Sequence, residues 1–87
     1  MKIRDLKGLG PKSEEYLFRV GIHSVEEFMA SDPFELYARL KIAIPGTGRN
    51  FIYAIIGAQE GIDWQEVSRS RKTEILMRLD DMGIAPR

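Results

Sequence analysis

The sequence predicts an all-α fold, a compact single domain of about five short helices over residues 1–87, and three observations predict it. Helix-start signals recur at Gly10-Pro11, Ser24-Val25-Glu26-Glu27 and Asp32-Pro33. Apolar residues return at helical spacing behind each of them. No stretch alternates with period two for long enough to argue a strand.

Ile3 to Leu6 reads as a short helical turn. Gly8 and Gly10 then flank Leu9 just ahead of Pro11, a spacing that lets the backbone turn tightly and start a helix at once. This helix runs from Pro11 to about Val20, with Tyr16, Leu17 and Val20 as its buried stripe, and Gly21 ends it. Ser24 and Glu27 form a capping box, Ser24 accepting from the amide three residues on while Glu27 reaches back. The short helix they start buries Val25, Phe28 and Met29.

Pro33 behind Asp32 opens the next helix, with Leu36, Tyr37 and Leu40 on one face. Ile44-Pro45-Gly46-Thr47-Gly48 breaks it. Phe51 to Ala58 is apolar nearly all round, so it is the central, most buried helix. Asp63 caps a further turn carrying Trp64 and Val67. Ile75, Leu76, Leu79 and Met82 make a final amphipathic helix that ends at Gly83.

Eighty-seven residues exceed the roughly 40 below which disulfides or metals are usually needed. Cysteine is absent, which excludes a disulfide framework, a thiol nucleophile and a cysteine-ligated metal. No apolar run approaches the ~20 residues of a membrane span, and the N-terminus lacks a signal-peptide hydrophobic region. A cytoplasmic protein with no membrane contact is expected. Thirteen Lys and Arg offset thirteen Asp and Glu, which argues against a strongly basic nucleic-acid coat. A basic tilt is local: Lys2, Arg4, Lys7 and Lys12 around the glycine turn, and Arg69, Arg71 and Lys72 later in the chain.

The stretch Leu6-Lys7-Gly8-Leu9-Gly10-Pro11-Lys12-Ser13 resembles the helix-hairpin-helix motif of many DNA repair and recombination proteins, in which hairpin amides hold a phosphate. The continuation extends the likeness: Val20-Gly21-Ile22-His23-Ser24-Val25-Glu26-Glu27-Phe28, Leu36-Tyr37-Ala38-Arg39-Leu40-Lys41, Asn50-Phe51-Ile52-Tyr53-Ala54 and Gly61-Ile62-Asp63-Trp64. This ordered set, from about Ile3 to Leu79, is similar to the C-terminal domain of the TfoX (Sxy) family. The resemblance implies an all-helical domain that, in the best-known members, follows an α/β domain and regulates genes for natural competence.

On that resemblance Lys7, Gly8, Leu9, Gly10, Lys12 and Ser13 are the candidate nucleic-acid contacts. Amides at a helix N-terminus favour a phosphate oxygen, and Lys7 and Lys12 add charge. Glu14 departs from the motif, where a small residue is usual; it suits the helix dipole, but with Glu15 it would repel a phosphate. A purely structural turn, whose glycines only let two helices pack closely, is the competing reading.

Aligning Gly8-Leu9-Gly10 with Gly46-Thr47-Gly48 also matches Leu6 to Ile44, Leu17 to Ile55 and Val20 to Ala58. Thr47 stands where Leu9 is apolar and glycine pairs are common in loops, so coincidence is the favoured reading. Ser68-Arg69-Ser70-Arg71-Lys72 reads as the charged start of the last helix rather than a second phosphate patch. Trp64 reads as a core residue locking that helix onto Phe51 to Ala58, with Trp64→Ala costing ~3–5 kcal/mol.

No catalytic constellation can be assembled. His23 is the sole histidine and has no converging donors for a metal. Glu14-Glu15 and Glu26-Glu27 point in different directions on their helices, and Ser13 and Ser24 have no base. The expectation is a non-enzymatic module without metal, cofactor or small-molecule substrate. It binds DNA weakly and salt-sensitively through the turn, in transcription or competence regulation; the alternative is a protein-interaction or self-association module.

Overall fold

The computed structural model describes residues 1–84, so the last three residues of the predicted 1–87 domain lie outside it. A 3-10 turn, Ile3–Asp5, is followed by helices α1 (Pro11–Arg19), α2 (Val25–Ala30), α3 (Pro33–Ala43), α4 (Asn50–Glu60) and α5 (Trp64–Asp81). There is no strand among the described residues.

Local chemistry sets most helix boundaries. Asp32 accepts from the amides of Phe34 and Glu35 at 2.8 and 3.1 Å, and Asp63 from that of Gln65 at 2.7 Å, satisfying donors that a first helical turn leaves free. Ser24 Oγ accepts from Glu27 N at 3.1 Å. Glu27 reaches one residue further back than a capping box requires, accepting from the His23 amide and the Ser24 hydroxyl, both at 3.3 Å. At the end of α1, Gly21 takes φ +88°, and Ile22 N–H returns to the Leu17 carbonyl at 3.0 Å; Gly83 and Ile84 repeat this closure on Leu79.

The core gathers Leu17, Val20 and Ile22, Phe28, Phe34, Leu36, Tyr37 and Leu40, then Ile52, Tyr53, Ile55 and Ile56, and Val67, Ile75 and Leu79. As predicted, α4 is central, with buried residues at most of its positions and its main packing against α5 and α3. Gln59 of α4 donates to the carbonyls of Phe28 and Ser31, both at 2.9 Å, and so closes the C-terminal end of α2. Arg39 of α3 donates to the carbonyl of Val20 in the same way at the end of α1.

Three expectations need correcting. Met29 and Met82 are 48% and 39% exposed, Met29 next to buried Phe28 on the short α2 and Met82 at the C-cap of α5, three residues past buried Leu79. The separate turn at Trp64 and the last helix are one continuous 18-residue helix, α5. Polar residues between Val67 and Ile75 contain no glycine or proline, so nothing interrupts the backbone hydrogen bonding. The run from Ser68 to Lys72 is therefore mid-helix, where the dipole penalty of a helix start does not arise; Arg69 pairs with Glu66 at 2.5 Å and Arg71 with Glu60 at 2.7 Å.

Candidate nucleic-acid interface

The turn between Ile3–Asp5 and α1 is closed by Leu9 N–H donating to the Leu6 carbonyl at 3.1 Å, with Gly8 at φ +84°. A four-residue turn with positive φ at its third position is a type II pattern, and a residue with a Cβ is strained there. Trp64 supports this corner from behind: a Cβ on Gly8 would meet its Cδ1 at 3.9 Å. Trp64 is only half-buried at the first position of α5, so it braces the turn as well as α4. Half-burial lowers the expected cost of Trp64→Ala to roughly 2 kcal/mol.

Of the six candidate residues, Leu9 does not face a ligand. Its side chain is 8% exposed in the core and its amide is spent inside the turn. Lys7, Gly8 and Lys12 are exposed, and Gly10 and Ser13 are half-buried. Among the described residues nothing accepts from the amides of Gly8, Gly10, Lys12 or Ser13, and no carboxylate pairs with Lys7 or Lys12. Pro11 has no amide to offer and sits at the first position of α1, where none is needed.

Glu14 is where the structure departs furthest from the sequence reading. It is 6% exposed, the one buried charged residue among those described, and Arg4 holds it. Arg4 Nε and Nη2 donate to Glu14 Oε1 at 3.0 and 2.9 Å, and the Arg4 amide donates to Oε2 at 3.1 Å. These side-chain and then backbone hydrogen bonds hold the Glu14 carboxyl below its ordinary range against the opposing effect of burial, and they raise the Arg4 guanidinium in turn. The carboxylate thus ties the 3-10 turn to α1. Glu15 is engaged as well, with Arg19 one turn on at 3.1 Å.

The repeat dismissed as coincidence corresponds to a second turn of the same build. Thr47 N–H donates to the Ile44 carbonyl at 3.2 Å and Gly46 takes φ +94°, matching Leu9, Leu6 and Gly8 at a constant offset. Pro45 ahead of Gly46 is the residue order a type II turn prefers. The Thr47 hydroxyl donates back to Ile44 O at 2.7 Å, which accounts for a polar residue in the place of Leu9.

Elsewhere the described residues hold no His, Cys, Asp and Glu group able to bind a metal, and no helix is long and apolar enough to cross a membrane. His23 stacks obliquely on Phe18, ring centroids 5.3 Å apart.

The fold is that of an all-helical domain whose first helix is launched from a glycine turn, with free amides and two lysines that no carboxylate pairs among the described residues. The model of the TfoX C-terminal domain matches residues 1–79, and the chain belongs to that family. A crystal structure of an uncharacterised protein from Listeria monocytogenes, in a triclinic form, has the same fold: TM-score 0.82 at 22% identity, covering 100% of both chains. No curated protein matches the chain.

Proposed function

We propose that this domain is a non-enzymatic regulatory module that contacts DNA phosphates through the Leu6–Ser13 turn, acting in the cytoplasm in transcription or competence control. The observation that carries this reading is the engagement of Glu14. With its carboxylate buried against Arg4 and Glu15 paired with Arg19, the acidic residues behind the turn are neutralised, while Lys7 and Lys12 stay free. Phosphate contacts of this kind position a protein without reading sequence, so specificity would come from a partner.

Titrating a fluorescein-labelled 20-base-pair duplex at 50 mM salt tests the reading. Lys7→Glu with Lys12→Glu is expected to weaken binding about tenfold or more, and added salt should weaken the parent protein. Trp64, the only tryptophan, lies against Gly8 and should report occupancy through its emission. Equal binding by parent and double variant would reject the phosphate contact. Exposed Ile42 and Met77 favour the alternative, a protein-assembly surface, which salt-insensitive self-association in sedimentation would reveal.

A further inference from the structure

We propose that the Ile44–Gly48 turn is a second contact point, and that the two turns together address a nucleic-acid duplex through four unpaired cations, Lys7, Lys12, Lys41 and Arg49. This rests on the reading of the first turn as a phosphate contact.

The surface is defined by which charges the fold leaves over. Arg4, Arg19, Arg69, Arg71 and Arg78 are all taken up by carboxylates, and Arg39 is occupied at the Val20 carbonyl. Among the described residues the cations without such a partner are Lys2, Lys7, Lys12, Lys41, Arg49 and Lys72. All but Lys72 belong to the two turns or the residues beside them. The described carboxylates without a cationic partner are Asp5, Glu26, Glu27, Glu35, Asp63, Asp80 and Asp81; Asp5 precedes the first turn and Asp63 adjoins Trp64, and none adjoins the second turn in sequence. At a net charge of zero, four cations without a carboxylate partner among the described residues thus fall at or beside the two turns.

Packing joins the helices that follow the two turns. Lys12 and Tyr16 share a face of α1, one helical turn apart. The Tyr16 ring meets Phe51 of α4, centroids 6.1 Å apart, and Phe51 follows Arg49 by two residues. On the other flank, Lys41 Nζ lies 5.7 Å over the Tyr37 ring. The Tyr16–Phe51 contact thus joins α1, which follows the first turn, to α4, which follows the second. A duplex presents two backbones at fixed spacing to such a pair of points, whereas a single strand must be ordered to reach both.

Salt dependence counts the contacts. Each neutralised phosphate adds about 0.9 to the slope of log affinity against log salt. Four contacts correspond to about a 100-fold loss between 50 and 200 mM salt, and two to about tenfold. The full chain is titrated with a labelled 20-base-pair duplex and with one of its strands. Lys41→Gln with Arg49→Gln is expected to reduce the loss from about 100-fold to about tenfold, as is Lys7→Gln with Lys12→Gln. Arg69→Gln with Lys72→Gln, the same charge change on α5, should leave the loss nearly unaltered.

An unchanged slope in the Lys41 and Arg49 variant, with a reduced one in the Lys7 and Lys12 variant, overturns the second contact alone. Unchanged slopes in both remove the first-turn reading with it. An equal reduction by the α5 pair shows that net charge, not a surface, governs binding, and overturns the proposal; so does tighter binding to the single strand.

Discussion

Arg4 and Glu14 meet through two side-chain hydrogen bonds and one from the Arg4 amide, so a single carboxylate secures both the side chain and the backbone of the turn before α1. The native carboxyl is held below its ordinary value of 4.5. The unfolded chain therefore takes up this proton first as pH falls. The stabilisation is complete well above pH 4.5 and is lost as pH drops through the lower native value. Thermal melts of Glu14→Gln are expected to show a lower midpoint than the parent at pH 7. Between pH 5 and pH 3 the variant should have a flatter profile. A parent profile as flat as the variant's would show that the pair does not hold the turn.

Among the described glycines, Gly57 makes the tightest approach. A Cβ there would lie 2.6 Å from the Ile62 carbonyl oxygen and 3.3 Å from the Trp64 amide nitrogen, both backbone atoms that cannot swing aside. The close return is fixed by Gly61 at φ +74° and by Ile62 N–H donating to the Gly57 carbonyl at 2.9 Å. Gly57→Ala is expected to lower stability by about 1–3 kcal/mol despite alanine's better helix propensity. Gly48→Ala, with nothing within 4 Å of the new methyl, should change it by no more than about 0.5 kcal/mol. Urea denaturation of the two variants checks this, and equal effects would contradict the packing.

Tyr37 and Tyr53 bury their hydroxyls without a hydrogen-bond partner between α3 and α4. An unpaired buried hydroxyl costs stability, so Tyr37→Phe is expected to raise the unfolding free energy by about 1 kcal/mol. Burial, and to a lesser degree the neighbouring Tyr53, pushes the Tyr37 phenol above 10, so above that pH the unfolded chain ionises first and stability declines. The phenylalanine variant should lose less stability than the parent between pH 9 and 11 by chemical denaturation. A destabilised variant would mean the hydroxyl is bonded in solution.

Helix starts were legible because their causes are local: Asp32 and Asp63 sit beside the amides they accept from, and a pattern of four residues contains the whole interaction. The same holds for the glycine turn and for the central burial of α4. Glu14 was misread because its partner is ten residues away, across a turn whose shape the sequence alone does not give. Met29 and Met82 lie on the expected faces, but spacing does not say where a covering surface ends. Thr47 and the commonness of glycine pairs in loops speak against the second turn in the sequence, yet its conformation depends on Gly46 and is compatible with a hydroxyl that bonds the backbone.

Gln59 gives the domain an order of events. A helix of six residues does not persist alone in water, and α2 has its final carbonyls received by a side chain some thirty positions further along the chain. Phe28 O also accepts from Ser31 N–H at 3.2 Å, but the Ser31 carbonyl and the second bond to Phe28 O wait for α4 to dock, so α2 has little reason to outlast its neighbours. It should be the last helix to settle during folding and the first to open in the native ensemble.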